Sequence, residues 1–344
     1  MNLLSAVSLL ALPCAAQEGW KKLPPIPDPL GVAAPFAGVS NGALVVAGGA
    51  NFPDKMPWEG GKKVWHDKVW VLEKPGGTWR DAGKLPRALA YGVSLNVGGT
   101  VVCIGGSDSV RHYADTTIVY WLEGKLGTRS QIASGPLPVP LAHAAGAVTA
   151  RDVVYVACGS MEPDAKVASR RVFRAGWRDK EPAWLELPPL PGEGRILPVA
   201  AAHGEDFYLF SGAALEEKDG KVVRRYLRDA WRYSDAEGWK RLADLPRACV
   251  AAASPAPVVM DGTPRVLLMA GDDGTAVGVD PQKHPGFPAT VLSYDIAANA
   301  WSESGKTPAP RATVPCVKWG EAFILPSGEV RPGVRSPEVW SWTK

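Results

Sequence analysis

Apolar residues in this chain come in short runs that stop on small residues. Six of them end on a glycine: ALVVAGG at Gly49, VVCIGG at Gly106, VVYVACG at Gly159, FYLFSG at Gly212, VLLMAG at Gly271 and AFILPSG at Gly328. Runs this short, bounded by turn residues and rich in β-branched and aromatic side chains, predict buried strands rather than helices. A second short apolar segment precedes each run, as in FAGVSNG, AYGVSLNVGG and ATVPCVKWG. After each glycine come a loop and a β-rich segment, among them KVWVLE, TIVYWLE, RRVFRA, DAWRYS and TVLSYD. An aromatic stretch ending on a proline step then follows in most copies: TWRDAGKLP, AWLELPPLP, GWKRLADLP, AWSESGKTP.

The pattern is a four-strand unit whose last glycines are separated by 57, 53, 53, 59 and 57 residues. Four strands at a period near fifty, with paired glycines and a recurrent Trp, predict an all-β, six-bladed propeller of the kelch type. An immunoglobulin array would need separate cores and linkers, and a β-helix a much shorter period. The sixth unit ends after EVWSW without its aromatic strand. That strand stands at the other end of the chain, in GWKKLPPIP, Gly19 to Pro27. The N-terminal strand is therefore expected to pair beside the C-terminal one and close the ring, which removes an open sheet edge.

Composition narrows the picture. Among 344 residues, 46% are apolar, with 37 Gly and 32 Pro, which suits a large core built from many short elements and excludes a long-helix protein. The net charge of +3 is spread without basic runs, so neither nucleic acid nor an anionic membrane is indicated as partner. The start, MNLLSAVSLLALPCAAQ, reads as a secretory signal over residues 1–16, with a short apolar stretch and small residues before Gln17. This predicts a periplasmic or secreted protein whose single propeller domain runs over 17–344; anchoring as a lipoprotein through Cys14 is the alternative. Cys103, Cys158, Cys249 and Cys316 lie in apolar strands without metal-type spacing, so buried free thiols are expected.

In such a ring the residue after each strand-two glycine faces one axial mouth. Those residues are Ala50, Ser107, Ser160, Ala213, Asp272 and Glu329: four small, two acidic and on neighbouring blades. The segments leading into the blades bring Arg87, Arg195, Arg247 and Arg311 toward the same face, and Arg331 and Arg335 follow Glu329. Guanidinium forks suit carboxylates, so these arginines are candidates for holding an anion, although each could equally tie blades together. The five histidines show no metal-site spacing, and no nucleophile elbow or phosphate loop is present. The aromatic loops at NFPDKMPW, starting with Asn51, and at HPGFP could pack over a sugar ring or cap the blades.

Three segments, FAGVSNGALVVAGGANF, RALAYGVSL and SGEVRPGVRS, resemble the cyclically permuted mutarotases, a family of sialic acid epimerases built on a six-bladed kelch propeller. The resemblance covers the chain after its signal, in rotated order. It implies a sugar isomerase acting on N-acetylneuraminate or a related acidic sugar, with no metal or organic cofactor. The family motif Gly-Glu-x-x-Pro-Gly-x-Arg is matched by Gly328 to Arg335, so the resemblance gives Glu329 the role of proton acceptor, with Arg335 beside it. Arg311, Asp272, Arg87, Asn51 and Arg331 are the candidate substrate-binding residues. The family arginine before Ala-Tyr-Gly is Leu89 here, and the long loops differ, which leaves the sugar open. A non-catalytic carbohydrate- or protein-binding propeller is the alternative; a copper oxidase would require a Tyr/His/Cys constellation that the spacing does not offer.

Overall fold

A computed structural model of the chain describes residues 18–130, 135–177 and 183–344; the secretory-signal reading and Cys14 fall outside them. Six four-stranded antiparallel sheets form the blades. In order along the chain, their innermost strands are Phe36–Ser40, Val93–Val97, Ala145–Val148, Val199–His203, Val258–Asp261 and Val317–Trp319. The second strands are buried along most of their length, completely so at Ala43–Ala47, because both faces pack against neighbouring blades. That is why they read as continuous apolar runs rather than alternating ones. Six buried clusters fill the six seams between blades, as where Tyr155 stacks on Phe207 at 5.0 Å between blades 3 and 4. The described cysteines Cys103, Cys158, Cys249 and Cys316 are buried and unbonded.

The ring closes as the repeat pattern predicts. Trp20–Leu23 is the outer strand of blade 6 and pairs antiparallel with Val339–Trp342, Trp20 opposite Trp342 and Leu23 opposite Val339. Trp20 is buried against the rings of Trp340 and Trp342, and the Ile26 amide donates to the Pro337 carbonyl at 2.9 Å.

Two sixfold features shape the axial mouth. Ala50, Ser107, Ser160, Ala213, Asp272 and Glu329 bridge antiparallel to Ala33, Ala90, Ala142, Ile196, Val250 and Ala312 respectively. The residues that follow these partners are Ala34, Tyr91, His143, Leu197, Ala251 and Thr313, all with positive φ between 47° and 61°. Their backbones make a closed circle of hydrogen bonds around the axis. Tyr91 N donates to Ala34 O, His143 to Tyr91, Leu197 to His143, Ala251 to Leu197, Thr313 to Ala251 and Ala34 to Thr313, at 2.7–3.1 Å. A left-handed backbone is unfavourable for a side-chain-bearing residue, and six of them persist because each is held by both neighbouring blades. Their side chains form the waist of the axial channel.

Candidate active site

Glu329 is presented by a hairpin of two very short strands, Glu329–Arg331 and Val334–Arg335, inserted between the second and third strands of blade 6. Gly328 lets the chain leave the second strand: its φ is +99°, and a Cβ there would stand 3.0 Å from the Val314 Cβ. Glu329 and Arg335 are cross-strand partners, so their side chains lie on the same face of the hairpin. The Glu329 Oε1 accepts the Gly333 amide at 2.8 Å and lies 3.1 Å from the Arg335 Nη1. Oε2 makes no hydrogen bond within the described residues and stays open to the pocket. The Arg335 side chain is only 4% exposed, with its guanidinium 4.7 Å over the Phe52 ring and its Nε reaching toward the Ala50 carbonyl at 3.4 Å. Its Nη1 lacks an aligned acceptor despite the nearby carboxylate. The result is a buried cation with donor capacity to spare beside a carboxylate with one free oxygen.

The hairpin forms one wall of a cavity of about 210 Å³ at the axial mouth, floored by five of the six left-handed residues, Tyr91, His143, Leu197, Ala251 and Thr313. Asp272 lines it from blade 5, accepting the Tyr226 hydroxyl at 2.6 Å and the Gly274 amide at 3.0 Å. Burial and the Asp272 charge push the Tyr226 phenol well above its ordinary range, so that bond is a fixed hydroxyl donor on a carboxylate. Lys63 reaches in from the long loop of blade 1, its Nζ 3.2 Å from the Tyr91 hydroxyl and over the Phe52, Trp65 and Tyr91 rings. Arg224 comes from the long hairpin of blade 4, Ala213–Lys218 with Lys221–Tyr226, and has no carboxylate partner among the described residues. Three cations thus face two carboxylates, and the excess charge suits an acidic ligand. Phe287, from HPGFP, adds an aromatic surface.

Of the candidates drawn from sequence, Glu329, Arg335 and Asp272 converge on this cavity, and the other four do not line it. Arg311 is 1% exposed in the seam between blades 5 and 6, donating to the Ser327 carbonyl at 2.6 Å and to Glu338 at 3.1 Å; burial lowers its pKa to about 10. Arg195 has the matching place between blades 3 and 4, forked onto Asp229 at 2.7 and 2.8 Å. Arg247 caps the Thr290 carbonyl. Arg87 pairs with Asp115 at 2.8 Å and lies 4.3 Å over Tyr113, on the flank of blade 2. Arg331 points outward to the Gln282 carbonyl. Asn51 is buried as a strut, donating to the Gly31 carbonyl at 3.0 Å and lying 2.8 Å from the His66 Nε2. A guanidinium between blades has no water, so it takes carbonyls and carboxylates from the seam instead of a ligand.

Lys63, Arg224, Tyr91 and His143 escaped the sequence reading as site residues. Arg224 had a visible signal: the widest glycine spacing, Gly212 to Gly271, contains Asp219-Gly220 between alternating residues, which marks an inserted hairpin. Lys63 had none, because a long loop does not say where its side chains return.

Fold and site together define a six-bladed kelch-type propeller with an acid-and-arginine pocket at one axial mouth, a class that includes sugar isomerases as well as scaffolds. Within it, the chain resembles the N-acetylneuraminate epimerases. The family profile of that description matches residues 11–126. An N-acetylneuraminate epimerase of Haemophilus influenzae strain PittEE is 39% identical over 225 residues, 59% of this chain and 57% of that protein. Those of Yersinia enterocolitica (40% over 107 residues, 28% of this chain and 26% of that protein) and Pasteurella multocida (35% over 104, 25% and 27%) match over shorter stretches. The chain therefore spans less than two thirds of the length of the relatives it matches. No helix among the described residues is long and apolar enough to cross a membrane.

Proposed function

We propose that this protein is a mutarotase that interconverts the α and β anomers of N-acetylneuraminate or a related acidic sugar. The observation that carries this reading is the Glu329–Arg335 pair, one carboxylate oxygen locked and the other free, in a net-positive pocket of a chain that resembles named epimerases. The free oxygen of Glu329 takes the proton of the anomeric hydroxyl. The bond between the anomeric carbon and the ring oxygen breaks, its electron pair going to the ring oxygen, which takes up a proton from the carboxylic acid just formed. The open-chain ketone turns its other face and recloses by the reverse steps. Arg335, with Lys63 and Arg224 across the pocket, holds the sugar carboxylate and fixes its orientation. We also propose export, on the residues 1–16 reading; N-terminal sequencing of the mature protein tests it.

Proton NMR of freshly released α-N-acetylneuraminate, alone, with wild type and with Glu329→Gln, tests the reaction. Wild type is expected to hasten the approach to anomeric equilibrium, and Glu329→Gln to lose roughly 10²–10⁴-fold of that effect. A folded wild type that leaves the rate unchanged would overturn the proposal.

A further inference from the structure

Opposite Glu329, the pocket wall carries a hydrogen-bonded chain that the steps above do not use. His143, one of the six left-handed waist residues, lines the cavity with its ring 4.9 Å from that of Tyr91. Its Nδ1 is 3.1 Å from the Ser160 Oγ. The same Oγ lies 3.0 Å from the Nε2 of His112, which is buried behind it. Ser160 holds the blade-3 position equivalent to Glu329.

A serine hydroxyl has one proton, so it donates to one of these rings and accepts from the other. Which way the chain runs is decided at its buried end. The His112 Nδ1 is enclosed without an aligned partner, and the backbone of Arg111 favours a proton on this ring. With Nε2 turned to Ser160, the preceding residue's backbone stands on the Nδ1 side, so the proton is assigned there. With Nδ1 protonated and the ring neutral, the His112 Nε2 is bare and accepts the Ser160 hydroxyl. Ser160 must then accept from His143, whose Nδ1 carries the ring proton. The His143 Nε2 is left bare and facing the cavity.

The geometry points to His143 as a hydrogen-bond acceptor for a sugar hydroxyl, with Ser160 and His112 as the positioning residues that fix its tautomer. Charges around the ring keep it in this role. Arg224, Lys63 and His112 all disfavour a proton on His143 beyond what burial does, and its pKa falls to about 3. Asp108 acts on His112 in the opposite sense, from the loop of blade 2. A neutral ring whose donor nitrogen is already engaged can take a hydroxyl hydrogen and rejects an analogue without one, because the buried acceptor is then unpaired.

The kinetic half of the test rests on the proposed anomerisation; the spectroscopic half does not. In free protein labelled with ¹⁵N-histidine, proton–nitrogen correlation spectra at neutral pH are expected to show His143 as the Nδ1–H tautomer, and a mixture of tautomers in Ser160→Ala. On N-acetylneuraminate, His143→Phe is expected to lower kcat/KM for anomerisation roughly 10- to 100-fold. His143→Gln, which restores an acceptor oxygen, should recover most of that loss. An Nε2–H tautomer at His143, or a His143→Phe variant as fast as wild type, overturns the inference. Should wild type not hasten anomerisation at all, the proposed reaction fails, and the tautomer measured in the free protein decides this inference by itself.

Discussion

His66, His112 and His143 all sit where burial disfavours their charged form. For a histidine this has a defined sign. Between the ordinary value of 6.5 and its lowered folded value, the unfolded chain binds a proton that the folded chain refuses. Stability therefore falls as pH drops below about 6.5, by up to ~1.4 kcal/mol per pH unit for a fully refused proton. For His143 the window extends down to about 3. Carboxylates held below their ordinary values by partners, such as Asp229 and Glu338, lose stability only lower down, near and below pH 4.5. Thermal melting between pH 7.5 and 5 thus isolates the histidines. The melting temperature is expected to fall across pH 6.5, with a shallower slope in His143→Gln; equal slopes in the two proteins would contradict a lowered pKa at His143.

At the scale of the element, what was legible followed from periodicity, and what was missed followed from side-chain direction. The strands announced themselves as apolar runs, and the sixfold glycines located Glu329 and Asp272, because a position after a fixed turn keeps its orientation in every blade. The arginines did not follow. Arg195 and Arg311 stand two residues before the left-handed waist residues Leu197 and Thr313, in the places that Val32, Leu89, Leu141 and Cys249 take in the other blades. Those places point into the seams, where four apolar side chains would have foretold the burial of the two charged ones. In the Glu329 hairpin a break in alternation decides: the register shifts between Glu329 and Arg331, so Arg335 stays aligned with Glu329 while Arg331 pairs with Val334 and turns to the outer side. A seam arginine is tied to its acid energetically. Asp229→Asn removes the counter-charge of the fully buried Arg195 and is expected to destabilise by about 3–5 kcal/mol. Arg87→Gln, which breaks an exposed pair with Asp115, should cost within ~1 kcal/mol. Denaturant unfolding of both variants checks the contrast; similar losses would mean that Arg195 is not the seam element inferred from its fork.

At the scale of the whole molecule, two circles hold the site, one at the axis and one at the rim. The axial circle of backbone hydrogen bonds runs through all six blades, so the waist beneath the pocket keeps its shape only while every blade is in place. The rim circle is completed by the strand Trp20–Leu23, which joins the two ends of the chain. These circles are linked through blade 6: the Gly328 amide, next to Glu329, donates to the Val32 carbonyl, and the Ser327 hydroxyl bonds both Val32 and Ser336. The hairpin that carries Glu329 therefore hangs on the junction of blades 6 and 1. Removing residues 17–27 would strip the outer strand of blade 6, expose the edge of Val339–Trp342 and take away the buried Trp20 and Ile26. The shortened chain is expected to lose its cooperative melting transition. Trp20→Ala, which keeps the strand's hydrogen bonds and removes only the packed ring, should melt cooperatively with a loss of about 3–5 kcal/mol. A shortened chain that melts as wild type does would show that the ring does not depend on this strand, and that Glu329 is held by blade 6 alone.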